Sequence, residues 1–331
     1  MSDFSNARIV VIGGGTGSFT LLKSLKKHTE HITALVNMVD DGGSTGVLRD
    51  ELGVLPPGDV RQCLVALSET PLLRDLFSYR FEEGTFAGHA FGNLFMAGLE
   101  KVTGSFHEAV EEASRVLNIT GAVEPTVLNE LRLCVKLPSG KTVRGQNAVD
   151  TSNFESSKPD IWLEPMPMVN PAAVKAIDVA DLIIIAPGNL YSSLAPALMI
   201  AELAEALQHT KAPKLYVCNL VTKPGQTDGF MVSDFASEIE RFVGSKLLDY
   251  VLYNTREPGH DLLKKYASQG EYWVQVDESI LEKAHYRAVG VELVGDIFKP
   301  SSKADLLPRT LIRHDSDTVA RAIEEIYRGS V

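Results

Sequence analysis

The stretch "ARIVVIGGGTGSFTLLKSLKKHT", residues 7–29, limits the possible folds more than any other part of the chain. It reads as an apolar strand, a glycine turn and a helix. In that helix Leu21, Leu22 and Leu25 form an apolar stripe, while Lys23, Lys26 and Lys27 face water. "ITALVNMVD" (32–40) reads as a second buried strand. Periodicity predicts helices over 58–68, 71–80, 90–103 and 105–117. "DLIIIAPGN" (181–189), "KLYVCNL" (214–220) and "DYVLYN" (249–254) read as further buried strands with helices between them, and a last helix is expected at 315–328. Strands alternating with helices specify an α/β fold with a mostly parallel sheet covered on both faces. One segment breaks the rhythm. "LRLCVKLPSGKTVRG" (131–145) reads as strand, tight turn, strand. With the polar stretch after it, this predicts a small β-hairpin insertion over 121–165 inside one α/β domain covering 1–331.

Composition narrows the function. Hydrophobic residues make up 44% of the 331 and charged residues 23%, enough for a full core. A net charge of −11 argues against nucleic acid and anionic membrane surfaces as partners, but admits a small nucleotide held by backbone N–H groups. Cys63, Cys134 and Cys218 lie far apart without a CxxC, which predicts buried free thiols in a reducing compartment. The first residues lack a basic segment followed by a long apolar one, and no apolar run is long enough to span a bilayer. The expectation is a cytoplasmic protein with no membrane insertion.

The glycine turn, Gly13, Gly14, Gly15, Thr16 and Gly17, ends a strand and opens a helix. Backbone N–H groups and a helix N-terminus can meet an anion there. The dinucleotide fingerprint fits only in part, because its third glycine position is Ser18. A phosphate-bearing ligand is expected, with NAD the less favoured choice. "SGKT" (139–142) resembles the end of a phosphate-binding P-loop, but position 135 is valine and two strands flank it, so it reads as a hairpin turn.

"VNMVDDGGSTG" (36–46) places Asp40 and Asp41 past the second strand, on the sheet edge that carries the glycine turn. Open α/β sheets bind ligands on that edge. Asp40 and Asp41 suit several roles: holding a ribose hydroxyl, holding Mg²⁺ on phosphates, acting as a base toward an attacking hydroxyl, or capping a turn. Asp59 and Arg61 in "LPPGDVRQCL", and Asn93 in "GHAFGNLF", stand at helix starts near the same edge. "APGNLYSS" supplies Gly188, Asn189, Tyr191 and Ser192. "CNLVTKPGQTDGF" supplies Asn219, Thr222 and Lys223. Each loop alone is an ordinary polar loop; together they line one edge. No G-x-S-x-G elbow, H-E-x-x-H motif or zinc-spaced Cys/His cluster is present.

These blocks, with "DDGGSTGVLRDELGVLPPGDVRQCLVAL", "SYRF", "GSFHEAV" and the closing "RHD", resemble the 2-phospho-L-lactate transferase-like superfamily, and within it the bacterial gluconeogenesis-factor branch. The resemblance spans nearly the whole chain. It implies a three-layer α/β/α Rossmann-like fold. It implies a nucleotide pocket built from the glycine turn, Asp40, Asp41, Asn93 and the loops at 187–193 and 218–229. The archaeal enzymes of the superfamily move a phospholactyl group from a guanosine-diphospho donor to a deazaflavin hydroxyl. The bacterial branch is tied to gluconeogenic growth, cell shape, peptidoglycan synthesis and UDP-sugar binding. The chain departs from the branch pattern at Ala90, Asn189 and Phe235, where serine, serine and histidine are usual. Losing that histidine weakens transferase chemistry and leaves binding intact.

Two functions follow as expectations. One is a regulatory UDP-sugar binder with envelope-synthesis regulatory proteins and a second copy of itself as partners. The other is a transferase in which Asp40 and Asp41 hold Mg²⁺ or activate the acceptor.

Overall fold

A computed structural model describes residues 3–155, 157–295 and 312–330. Among the described residues ten strands form two sheets. The larger sheet holds β1 (Ile9–Gly13), β2 (Ile32–Val36), β3 (Ala122–Pro125), β7 (Leu182–Ile185), β8 (Lys214–Val217), β9 (Tyr250–Asn254) and β10 (Arg287–Val291). Every pairing in it is parallel. β1, β7 and β8 are buried along their whole length, as expected of strands with a helix layer on both faces. The smaller sheet holds β4 (Arg132–Lys136), β5 (Thr142–Arg144) and β6 (Asp160–Glu164), all antiparallel, in the order β5-β4-β6.

The fold is the expected α/β one. The predicted helices appear as Gly58–Leu67, Pro71–Ser78, Phe91–Thr103, Phe106–Leu117 and Ser316–Tyr327. "SGKT" does turn between β4 and β5. Two features differ from the sequence reading. The acidic turn opens directly into a further helix, Gly43–Leu52, which ends on a left-handed Gly53. β3 pairs with β2, so the antiparallel excursion begins beyond Pro125. Among the described residues no single helix is long and apolar enough to cross a membrane.

Strand order in the larger sheet is β10-β9-β8-β7-β1-β2-β3. The chain winds outward one way from β1 and the other way from β7. The connections leaving these two neighbours therefore diverge, and a crevice opens past their C-termini. Helix Gly15–Leu25 packs between helices Gly58–Leu67 and Ser316–Tyr327 and begins at that crevice. Its start is set by contact: a Cβ added at Gly17 would lie 1.7 Å from the Pro187 carbonyl oxygen. Only glycine lets the helix rest against the turn that leaves β7.

Gly17→Ala is therefore expected to lower Tm by more than about 5 °C, because backbone on both sides must shift. Gly98→Ala is the control. It lies in an exposed helix interior with open space around it, and should be neutral or stabilising by about 0.5–1 kcal/mol. Thermal denaturation of both variants checks this. Equal Tm values for the two would contradict it.

Candidate functional site

A cleft of about 680 Å³ occupies the crevice. The glycine turn forms one wall. Gly14 caps helix Gly15–Leu25 without any side-chain bond, and the first turn carries no acid. The Thr16 and Gly17 amides stand in the first turn, which has no intrahelical acceptors for them. Gly15 is left-handed at φ 60°, a conformation glycine adopts without strain.

The opposite wall comes from the loops after β7 and β8. Gly188, Asn189, Asn219, Thr222 and Lys223 all line the cleft. Their local bonds explain their positions. Asn189 Oδ1 accepts from the Tyr191 and Ser192 amides, 3.2 Å each, and so opens the π-helical turn Leu190–Leu194. Asn219 Nδ2 donates to the Gly188 carbonyl at 2.8 Å, tying the two loops together. Thr222 Oγ1 accepts from the Tyr272 amide at 3.0 Å.

Other expected site residues lie elsewhere. Tyr191 is fully buried, with its ring edge-on to Phe154 at 5.0 Å and its hydroxyl donating to Glu238. Burial and the Glu238 carboxylate push its phenol up. Arg61 is buried and donates to Asn93 Oδ1 at 2.8 Å and to the Phe77 carbonyl. Asn93 in turn donates to Ser44, which bonds the His89 ring. Arg61 and Asn93 thus join helices Gly58–Leu67 and Phe91–Thr103 and do not line the cleft. Ser192 is buried, and its hydroxyl donates to Asp150, which lines the cleft. Phe235, where the branch usually has histidine, lines the cleft as a buried ring and offers no proton.

The two adjacent carboxylates have separated. Asp41 Oδ1 accepts from the Asn147 amide at 2.7 Å, capping the short helix Gln146–Asp150 of the insertion from outside. Asp40 turns the other way, toward Thr45 and the Gly42 amide, and sits beside Gly58. Asp41 still raises it by charge, and the charge of Asp40 in turn acts on Asp59. Asp59 lies directly against the glycine turn: a Cβ at Gly14 would be 2.3 Å from its Oδ2, and the Gly15 amide donates to it. Burial, and then the charge of Asp40, push Asp59 up to about 7, with Arg61 pulling the other way. Burial likewise raises Asp40. Two carboxylates this poorly solvated favour a shared proton or a cation. Among the described residues no group of three or more His, Cys, Asp or Glu side chains is placed to hold a metal. Mg²⁺ does not need one, since it binds one or two carboxylates plus substrate phosphates.

Two lining residues stand out that loop patterns do not identify as ligand groups. Asp150 comes from the insertion, and nothing in its sequence surroundings marks it. His314 donates from Nε2 to the Cys218 carbonyl at 3.1 Å. A carbonyl only accepts, so Nε2 carries the hydrogen. Burial lowers this histidine to about 4, so at neutral pH the uncharged ring presents Nδ1 as an acceptor.

Comparison with known proteins bears on this arrangement. The family model for 2-phospho-L-lactate transferase CofD matches residues 9–294. The chain belongs to that family. A Clostridium acetobutylicum relative is 41% identical over 326 residues, 96% of this chain and 69% of its own length. A protein of Halalkalibacterium halodurans called gluconeogenesis factor is 39% identical over 323 residues, covering 96% of this chain and 95% of its own. A crystal structure of a Bacillus halodurans protein superposes with TM-score 0.87 at 36% identity, covering 96% and 99% of the two chains. Within the CofD family, this chain matches the bacterial gluconeogenesis-factor branch.

The Asp59 environment gives a pH test. Its folded value, about 7, exceeds the ordinary 3.8. Between those limits the folded state keeps a proton that the unfolded chain has lost. This contribution to stability is complete below pH 4 and is lost as pH rises through 7. Asp59→Asn cannot ionise. Its Tm relative to the parent should therefore rise between pH 4.5 and pH 8, by about 2 °C or more. A difference that stays constant across that range would refute the assignment.

Proposed function

We propose that this CofD-family member is a regulatory factor that binds a nucleoside diphosphate sugar of the UDP-sugar class. In this role it links gluconeogenic carbon metabolism to cell-envelope synthesis and cell shape. The observation that carries the reading is the cleft itself. It lies where strand order reverses, with a helix start whose Thr16 and Gly17 amides have no intrahelical acceptors on one wall and amide, hydroxyl and ammonium donors on the other. The diphosphate meets the Thr16 and Gly17 amides, where a helix start favours negative charge. One phosphoryl group lies there, and the donors after β7 and β8 face the other. Regulatory proteins of envelope synthesis, and a second copy of this chain, are the partners on this reading.

A transferase reading has one observation in its favour, the buried carboxylates Asp40 and Asp59, the second of them against the glycine turn. The pair fits Mg²⁺ bound on a diphosphate, where the ion would neutralise charge as a phosphorus-containing group moves. The buried Phe235 counts against it, because the acid/base group usual in the branch is missing there. We favour the binding role.

Titration calorimetry with UDP-N-acetylglucosamine, GDP and NAD separates the readings. Binding of the UDP-sugar in the micromolar range, about −8 kcal/mol, without turnover is the expected result. Preferential binding of NAD, or no binding at millimolar concentration, would sink it. Mg²⁺-dependent GMP release with a deazaflavin acceptor, reduced at least about 100-fold by Asp40→Asn, would establish the transferase instead.

A further inference from the structure

The loops after β7 and β8 converge on a single atom. Asp150 Oδ1 accepts from Asn189 Nδ2 at 2.7 Å and from Ser192 Oγ at 2.6 Å, and it pairs with Lys223 Nζ at 2.6 Å. A carboxylate oxygen offers about two lone pairs, so three close donors, one of them a cation, are more than it satisfies well. An ammonium, an amide and a hydroxyl fixed around one point suit a group with several anionic oxygens, such as a phosphoryl group. Two of the donors are held independently of Asp150. Asn189 is fixed by the amides of Tyr191 and Ser192, and Ser192 is buried in the π-helical turn.

The carboxylate comes from a different part of the chain than its donors. Asp150 ends the insertion helix Gln146–Asp150. The backbone there is pinned. Gln226 Nε2 donates to the carbonyls of Val149, Asp150 and Ser152, and Val149 and Phe154 are fully buried. The Asp150 side chain, by contrast, is 35% exposed and Lys223 is 31% exposed. Rotation about the Asp150 side-chain bonds swings the carboxylate into solvent without moving the insertion, and a pair this exposed costs little to separate.

We infer that Asn189, Ser192 and Lys223 form an anion subsite for a ligand phosphoryl group, and that the Asp150 carboxylate is its built-in competitor. A ligand phosphate takes over the three donors and turns Asp150 out. The insertion thereby sets the threshold affinity of the cleft. This inference rests on the nucleotide reading of the cleft for the identity of the ligand, but the subsite itself can be tested with a simple anion.

The test is calorimetry of the parent protein, Asp150→Asn and the double variant Asp150→Asn/Lys223→Ala, with thermal denaturation confirming that each is folded. The titrants are UDP-N-acetylglucosamine and inorganic pyrophosphate. Asp150→Asn should bind the UDP-sugar roughly fivefold tighter or more, since a competing charge is gone. Adding Lys223→Ala should cancel that gain. If the parent binds the UDP-sugar and Asp150→Asn binds it equally or more weakly, Asp150 only positions the loops and the inference is wrong, with the nucleotide reading intact. A gain that survives Lys223→Ala also overturns it. If the UDP-sugar binds to none of the proteins while pyrophosphate binds Asp150→Asn more tightly than the parent, the subsite stands and the nucleotide reading fails. If neither titrant binds any of them, both fail.

Discussion

Helix Gly15–Leu25 can begin where it does only because a hydrogen atom, and no side chain, separates Gly17 from the Pro187 carbonyl. That contact joins the two strands at which strand order reverses, β1 and β7. Remove the close approach and the helix start lifts off the turn, the cleft changes shape, and the amides of Thr16 and Gly17 lose their common direction. Gly14 is constrained from the other side, because Asp59 and Asn37 occupy the space a side chain would need. The glycines are thus demanded by packing as much as by a ligand. A phosphate site and a packing requirement coincide at the same residues.

The insertion is tied to the rest of the fold at both ends of one short helix. Asp41 caps its start through the Asn147 amide. Asp150 at its end meets Lys223, Asn189 and Ser192. Deeper in, Lys158 joins Glu238, whose other partners are Arg241 and the Tyr191 hydroxyl. Glu238 has no exposed surface, yet it stays below its ordinary carboxylate range despite burial, because Arg241 and Lys158 both bond it. A buried carboxylate deprived of such partners is costly. The insertion therefore takes part in the site through the end of helix Gln146–Asp150, where Asp150 and Thr151 line the cleft.

Much of this was legible in the residues. Continuous apolar runs such as "LIII" and the glycine turn between β1 and its helix dictate parallel strands and the position of the crevice. The sharp turn signal at Pro138-Ser139-Gly140 correctly marks the hairpin and dismisses a P-loop. Local pattern could not foresee which loop residues face inward. Tyr191 looks like a donor in "PGNLYSS" but packs in the core, because the π-helical turn rotates it toward Phe154. Arg61 stands at a helix start near the binding edge but bonds Asn93, 32 residues away. Asp150 carries no motif at all, and its importance comes from contacts 39, 42 and 73 positions distant. Adjacent carboxylates at 40 and 41 suggested a pair, yet neighbours on an extended chain point apart. Asp40 feels the charge of Asp41 and acts in turn on Asp59, across two helix starts.

On the proposed function everything turns on a diphosphate held by the helix start at the strand-order reversal. A crystal structure with UDP-N-acetylglucosamine bound tests it most directly. Diphosphate oxygens are expected within about 3 Å of the Thr16 and Gly17 amides, with the second phosphoryl group facing the loops after β7 and β8. Diphosphate density elsewhere, for example in the neighbouring cavity floored by Trp273 and Phe230, would contradict it.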